Sequence, residues 1–118
     1  MSGLSRTDRL QRPSQFLAVQ RSGRRARCRS CELSWSAPAQ QRASVRLGMI
    51  VSARVGPAVV RNRVKRVIRE WFRRHRGVLP QGDFVIRAFP TIRQRATEDI
   101  WDDLTRLSQS VRKRSCNR

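Results

Sequence analysis

The chain has 118 residues, enough for one domain with a modest core, and its 27 Lys and Arg residues outnumber 8 Asp and Glu, for a formal net charge of +19. Charge repulsion of this size destabilises a folded chain unless a polyanion accompanies it, so the composition favours a nucleic-acid partner. The chain has no apolar run long enough to span a membrane and no start typical of a signal peptide, so we expect a cytoplasmic protein without membrane contact.

The first half of the chain predicts one helix followed by strands. A helical pattern opens at Pro13 and ends at Gly23. Residues 24–27 lead into a candidate strand through Leu33 and Trp35, with room for one more strand between Ala26 and Ala43. Apolar and more polar residues then alternate over 45–53, which predicts a strand with one face on the core.

The second half predicts helix, strand and helix. A strongly basic helix follows Gly56 and ends near Gly77, and a strand over 84–89 is stopped by Pro90. A last amphipathic helix starts at Thr97. The pattern therefore predicts an α+β fold in which a small sheet carries three helices. We expect residues 1–118 to form a single RNA-binding domain with a basic, disordered tail at 112–118.

The basic helix has one apolar face and one cationic face. The apolar positions recur at helical spacing and are Val60, Val64, Val67, Ile68, Trp71 and Phe72. Four cations step by four residues along another face and three more widen it, namely Arg61, Lys65, Arg69 and Arg73, then Arg63, Arg66 and Arg74. A helix held in a core by one face while a row of cations lies on the other is suited to a line of phosphates.

Side chains that could carry out catalysis are not gathered in a convincing group. The last helix carries Glu98, Asp99, Asp102 and Asp103, and we expect them to form a solvated face turned away from nucleic acid. His75 has no evident partner, and there is no glycine-rich phosphate loop. If the protein takes part in a reaction, we expect it not to supply the reacting groups.

The three cysteines do not predict a metal or redox site. Cys28 and Cys31 form a lone C-x-x-C, Cys116 lies in the tail, and a zinc site would need four ligands. On one alternating strand, residues 28 and 31 would lie on opposite faces.

Aromatic residues near arginines are candidates for stacking on unpaired bases. They are Phe16, Trp35, Phe84 and Phe89, and packing in the core is the alternative for each.

The segment from Gly56 to Glu70 resembles the central signature of the protein subunit of bacterial ribonuclease P. The matching positions are Gly56, Ala58, Val59, Arg61, Asn62, Arg63, Lys65, Arg66, Arg69 and Glu70. Residues 47–56 are similar to the family's strand and the turn after it, and residues 9–19 to its first helix. The likeness covers roughly residues 6–113.

This resemblance implies a fold and an activity. The fold would be an α/β sandwich of the ribosomal protein S5 domain 2-like type, with a small, mostly antiparallel sheet of about four strands and a left-handed β-α-β crossover around the basic helix. The activity would be endonucleolytic removal of the 5′ leader from precursor tRNA. The RNA subunit with bound Mg²⁺ would be the catalyst, with no organic cofactor and no obligate protein partner.

The resemblance also implies two sets of contacts. The catalytic RNA would lie against Arg61, Asn62, Arg63, Lys65, Arg66 and Arg69. A cleft between the first helix and the sheet would hold the single-stranded leader, with contacts from Phe16, Trp35, Ser52, Arg54, Phe84 and Arg87. No residue of the chain would be catalytic and none would bind the metal.

The chain departs from the family pattern at three places. Ala53 replaces the first of two basic residues, and Gln20 stands where an aromatic is common. Phe89 replaces the arginine that usually ends the strand after Asp83. Because residues two apart on a strand share a face, Arg87 is expected to substitute for it.

Three other functions stay open from the residues. A ribosomal or RNA-chaperone-type protein shares the charge and the small α/β build but leaves the central signature unexplained. A DNA-binding protein could place the basic helix in a major groove, though no helix-turn-helix partner is evident. A self-contained nuclease would need the missing catalytic group.

Overall fold

The computed structural model describes residues 9–10, 13–37 and 45–116. Its helices and strands in chain order are α1 (Pro13–Ser22), β1 (Arg24–Arg27), β2 (Cys31–Ser36), β3 (Val45–Ile50), α2 (Ala58–His75), β4 (Gly82–Ala88) and α3 (Thr97–Cys116). The predicted α+β class is confirmed, and the stretch 24–35, predicted to lead into one strand, forms two strands, β1 and β2. Across these residues no helix is both long and apolar enough to cross a membrane.

The strands form one mixed sheet in the order β1-β2-β4-β3. β2 runs antiparallel to β1 on one side and to β4 on the other, whereas β3 and β4 are parallel. The mostly antiparallel sheet that the resemblance implied is therefore confirmed. Parallel neighbours need a crossover connection, and α2 is that connection between β3 and β4.

The main core lies on the face of the sheet that α2 and α3 cover. Alternate strand residues supply the sheet side of this core, and the apolar stripe of α2 supplies the other. Its largest fully buried side chains include Trp71, Phe72, Phe84, Leu33 and Ile68. Two indole N–H groups join the helices, since Trp71 Nε1 donates to Thr105 Oγ1 at 3.0 Å and Trp101 Nε1 donates to the Val67 carbonyl at 3.0 Å.

A second, smaller core lies on the opposite face, under α1. Val19 of α1 packs with Leu10 and Val85, and Phe16 and Ile50 are partly buried against them. We call this side of the sheet the α1 face. Two arginines on the same face, Arg27 of β1 and Arg87 of β4, are exposed beside this cluster.

The two cysteines of the C-x-x-C motif lie side by side. Residues 28–30 form the turn between β1 and β2, and the Cys28 N–H donates to the Cys31 carbonyl at 2.9 Å across it. The two Sγ atoms are 4.0 Å apart, so the expectation that they lie on opposite faces is wrong, because the chain reverses between them. Burial raises the pKa of the Cys31 thiol to about 12, which keeps it protonated at neutral pH. In the described ranges no group of three or more His, Cys, Asp or Glu could hold a metal ion.

Asp103 joins three separate parts of the chain. Its Oδ2 accepts hydrogen bonds from Ser30 Oγ and from Arg95 Nη2, both at 2.8 Å, and its Oδ1 accepts one from Arg106 Nη2 at 2.7 Å. The expectation that all four acids of α3 share a solvated face is wrong for Asp103, whose side chain is 4% exposed. Burial alone would raise the pKa of this carboxyl, but the hydrogen bonds from Ser30 and Arg95 outweigh it and hold the pKa below its usual value.

The end of α3 differs from the sequence-based expectation. The helix continues to Cys116, so most of the segment predicted as a disordered tail has helical backbone. Residues 117–118 lie outside the described residues.

Candidate nucleic-acid interface

The cations of α2 lie on the side of the helix away from the core. Of the six residues predicted to contact the catalytic RNA, two are exposed and four are partly exposed, namely Asn62 and Arg66, then Arg61, Arg63, Lys65 and Arg69. The apolar stripe fixes this orientation, because Val64, Ile68 and Trp71 are fully buried on the opposite side. The helix thus presents its polar residues as one surface.

Two arginines at the start of this surface are held by backbone carbonyls. Arg61 Nε donates to the Gly56 carbonyl at 3.1 Å, and Arg63 Nη2 donates to the Arg95 carbonyl at 3.1 Å. A guanidinium has five N–H donors, so one such bond restricts the side chain and leaves other donors for a phosphate.

Cations at the end of α2 have other partners. Arg73 Nη2 contacts Glu70 Oε1 at 2.8 Å, and the guanidinium of Arg74 lies 4.9 Å from the centre of the Trp101 ring. The hydrogen bond from Arg73 lowers the pKa of Glu70. Lys65, Arg66 and Arg69 form no ion pair within the described part of the chain. The available positive charge therefore lies along the first two-thirds of α2.

The α1 face holds a second group of polar side chains beside α1. Strand pairing places Arg27, Glu32 and Arg87 in one row across β1, β2 and β4, with Ile50 of β3 at its end. Arg87 is exposed, and its guanidinium carbon lies 6.0 Å from the centre of the Phe89 ring. That Arg87 substitutes for the family arginine at the position of Phe89 stays a prediction.

Phe16 lies directly on the backbone of β3. A Cβ atom built on Gly48 would come within 2.5 Å of the Phe16 ring. Only glycine at position 48 therefore lets the ring lie so close to the strand. The ring is partly exposed, as a stacking surface for a base requires. Gln20, at the position where the family commonly has an aromatic, is also partly exposed on α1.

The structure does not bring Trp35 and Phe84 to this cleft. Phe84 is 1% exposed in the main core, and Trp35, its partner across β2 and β4, packs against the same core. The Trp35 indole N–H donates to the Gln81 carbonyl at 3.1 Å. The expectation that both line the α1 cleft is therefore wrong, because they share the sheet face that α2 and α3 cover. Ser34 is the neighbouring β2 residue whose side chain lies on the α1 face.

Ser52 and Arg54 lie where β3 leaves the sheet. Both are exposed, and they flank the start of a short 3₁₀ helix, Ala53–Val55, whose Val55 is buried. The last residue of β3, Ile50, is paired with Arg87, so this turn starts beside the Arg87 row and leads to α2. The two residues thus lie between the α1 face and the basic surface of α2.

Sequence reasoning missed the polar residues of β1 and β2 on the α1 face. Arg27 and Glu32 lie beside Arg87, and alternation of apolar and polar residues over Cys31–Ser36 could have placed Glu32 there. It also missed that Arg46 is engaged, since its Nε and Nη2 donate to the Asp83 carboxylate at 2.8 and 2.9 Å. The hydrogen bonding of Arg46 to the Asp83 carboxylate raises the pKa of Arg46.

Comparison with known proteins places the chain in one family. The family model described as Ribonuclease P matches residues 4–112. The chain is 37% identical to the ribonuclease P protein component of Brevibacillus brevis over 110 residues, which cover 92% of this chain and 86% of that protein. It is 47% identical to the corresponding protein of Bordetella parapertussis over 83 residues, covering 67% of this chain and 68% of that one.

Solved structures resemble the whole fold. The Staphylococcus aureus RNase P protein superposes with a TM-score of 0.79 at 26% identity, covering 85% of this chain and 91% of that one. The RNase P protein from Thermotoga maritima gives a TM-score of 0.77 at 26% identity, covering 87% and 96%. Together with the family match over 4–112, these similarities show that the chain belongs to the ribonuclease P protein family.

Proposed function

We propose that the chain binds the catalytic RNA of ribonuclease P through α2 and the single-stranded 5′ leader of precursor tRNA through the α1 cleft. Family membership makes it a component of an endoribonuclease that processes the tRNA 5′ end, and so part of a ribonucleoprotein. The observation that carries the division of roles is that the two polar surfaces lie on opposite faces of one sheet. Two RNA segments can then be held at once without competing.

The surface of α2 suits a folded RNA with closely spaced phosphates. Its side chains are cations on a rigid helix, and Arg61 and Arg63 are further restrained by backbone carbonyls. Arginine contacts of this kind bind phosphate without reading sequence. Neutralising crowded phosphates would also lower the Mg²⁺ concentration that the RNA needs for folding and catalysis.

The α1 cleft suits an extended single strand. Phe16 offers a ring for base stacking, while Arg87, Ser52 and Arg54 supply donors toward the backbone. Mature tRNA lacks the leader, so contacts in this cleft favour the precursor over the product. We expect the reacting groups and the catalytic Mg²⁺ to be held by the RNA subunit, and the complex to act in the cytoplasm.

The direct test is cleavage of a precursor tRNA by a bacterial ribonuclease P RNA at low Mg²⁺, with and without the protein, and with the protein alone. We expect only the mixture to release the leader at the mature 5′ end. If the protein neither assists the RNA nor cleaves alone, the proposal fails and a ribosomal or chaperone-type role becomes the better assignment.

Phe16→Ala is expected to lower the ratio of the affinity for precursor tRNA to the affinity for mature tRNA by about ten-fold, because one leader base loses its stacking partner. Assembly with the catalytic RNA should not change. The ratio is measured by titrating the assembled holoenzyme with both tRNAs. Leu17→Ala is the matched control, because Leu17 is the next residue of α1 and is 50% exposed. An equal effect of both variants would contradict a specific role for the Phe16 ring.

Gly48→Ala is expected to act on the same cleft from the opposite side. The added Cβ would lie 2.5 Å from the Phe16 ring, so the ring must move away from β3. We expect a loss of about 1–2 kcal/mol in the free energy of unfolding, as is usual for overpacking, together with a narrowed precursor preference. Denaturant unfolding and the holoenzyme titration measure the two effects.

Gly77→Ala is the control for Gly48→Ala, because a Cβ at position 77 meets nothing within 4 Å. Its unfolding free energy should change by less than about 0.5 kcal/mol. If Gly48→Ala keeps the full precursor preference, the Phe16 ring does not need its place against β3.

A further inference from the structure

One acidic side chain lies among the cations of the α1 face. Glu32 is the central member of the row across the antiparallel strands, opposite Arg27 on β1 and opposite Arg87 on β4. Residues that face each other in this way have their Cβ atoms roughly 5 Å apart on one face of the sheet. The floor of the cleft therefore places a carboxylate between two arginine positions.

The carboxylate of Glu32 is sheltered but has no partner. The residue is only 9% exposed, yet its side chain forms no hydrogen bond or ion pair with the rest of the described chain. Arg87 lies toward the Phe89 ring instead. The Glu32 oxygens are therefore acceptors that the described part of the protein does not use, and a ligand with N–H donors can bind them.

An open depression of about 440 Å³ lies beside this carboxylate, over β1 and β2. Its lining consists of Arg25, Ala26, Arg27 and Glu32. The volume is in the range of pockets that take small ligands, roughly 300–1,000 Å³, and is sufficient for one nucleobase. The walls offer acceptor oxygens from Glu32 and cationic donors from the arginines.

We propose that Glu32 reads one unpaired base of the leader through hydrogen bonds to its Watson–Crick edge, and that guanine is the preferred base. The inference rests on the proposed leader role of the α1 cleft. An ionised carboxylate can only accept hydrogen bonds, and it repels phosphate. Guanine presents N1–H and N2–H side by side to the two carboxylate oxygens, and its O6 can accept a bond from an arginine.

Uracil fits this site poorly. Its Watson–Crick edge carries one N–H group between two carbonyl oxygens, and these oxygens would face the carboxylate. Because the base must point toward Glu32, the leader backbone lies toward the arginines of β1. Arg27 then contacts phosphate and contributes to the affinity for every leader alike.

The test uses the assembled holoenzyme and a set of precursor tRNAs that carry guanosine or uridine at one leader position at a time. At one position the parent should bind the guanosine leader about ten-fold more tightly than the uridine leader. Glu32→Gln keeps the size of the side chain but loses one acceptor oxygen and the charge. It should reduce that ratio to about two-fold or less.

Two further variants separate base reading from charge. Glu70→Gln removes a glutamate from α2, where it pairs with Arg73, and should leave the base preference unchanged. Arg27→Gln should weaken binding of all leaders by a similar factor and keep the preference for guanosine.

The outcomes distinguish this inference from the proposed function. If the parent prefers precursor over mature tRNA but shows no position with a guanosine preference, the role of Glu32 is overturned and the leader role stands. The same holds if Glu32→Gln tightens all leaders equally with an unchanged ratio, since Glu32 would then act only through its charge. A parent that does not distinguish precursor from mature tRNA overturns both.

Discussion

Replacing Arg61 and Arg63 together by Ala is expected to weaken binding of the protein to the catalytic RNA by about 100-fold at low salt. Each guanidinium is held by a single carbonyl, of Gly56 or of Arg95, and keeps donors for phosphate. Loss of two phosphate contacts releases fewer counterions on binding. The slope of log K against log salt should therefore flatten by about 1.5, at roughly 0.7–0.9 per phosphate.

The matched control removes the same charge from the other end of the helix. Arg73 and Arg74 are already engaged by Glu70 and by the Trp101 ring, so their joint replacement by Ala should change the salt slope much less. Binding of each variant to the RNA is titrated over a series of salt concentrations, with helical content checked by circular dichroism. A folded Arg61→Ala/Arg63→Ala variant with the parent's slope would rule out the phosphate role of these residues.

Asp103→Ala is expected to lower the free energy of unfolding by about 3 kcal/mol. The carboxylate accepts hydrogen bonds from Ser30, Arg95 and Arg106, and its removal leaves partly buried donors without an acceptor. Because these bonds join the β1–β2 turn, the segment after β4 and α3, all three lose a common attachment. Asp102→Ala, on the exposed side of α3, should change stability by less than about 0.5 kcal/mol.

The same carboxylate predicts a loss of stability in acid. Its pKa in the folded protein is below the ordinary value, because the hydrogen bonds from Ser30 and Arg95 outweigh burial. The stability that the ionised Asp103 carboxylate gives the fold is therefore fully present above the ordinary carboxyl pKa of about 4. It is lost as the pH falls through the pKa that the carboxyl has in the folded protein. Urea unfolding at several pH values should show a steeper acid decline for the parent than for Asp103→Asn. Equal declines would mean that Asp103 is not the titrating group.

The basic helix was predictable because two independent patterns agree along it. The apolar stripe alone places Val64, Ile68 and Trp71 inside, and the cations on the opposite side of the helix are then exposed. Placement of α2 as the connection between parallel strands was not derivable from local spacing, since it depends on which strands pair. This placement was predicted only because the Gly56–Glu70 segment resembles the signature of the ribonuclease P protein family.

The cleft was predicted less well, for two different reasons. In β2 the alternation of Cys31, Leu33 and Trp35 with polar residues places Trp35 on the core side, and matching it to a family aromatic overrode that signal. In β4 nearly all residues are buried, so residue type does not tell which face Phe84 occupies. Both errors concern the phase of a strand, where a shift of one residue exchanges the two faces.

Asp103 shows a limit of a different kind. It lies beside the apolar stripe of α3, but the partner that explains its burial, Ser30, is 73 residues away in the sequence. The turn that brings Ser30 there depends on the finished sheet. Helical spacing places Asp103 on the same side as Ile100 and Leu107, but it does not show which partner an acid at that position would have.

Alternate residues of β4 support the two helices on opposite faces of the sheet. Phe84 and Ile86 support α2 on one side, while Val85 supports α1 and Arg87 lies beside it on the other. The spacing between the two surfaces is therefore a rigid dimension of the protein, equal to the thickness of the sheet and the helix packed on it. Neither surface can shift relative to the other without repacking the core. Two ligands bound on the two sides are therefore held at a fixed distance from each other.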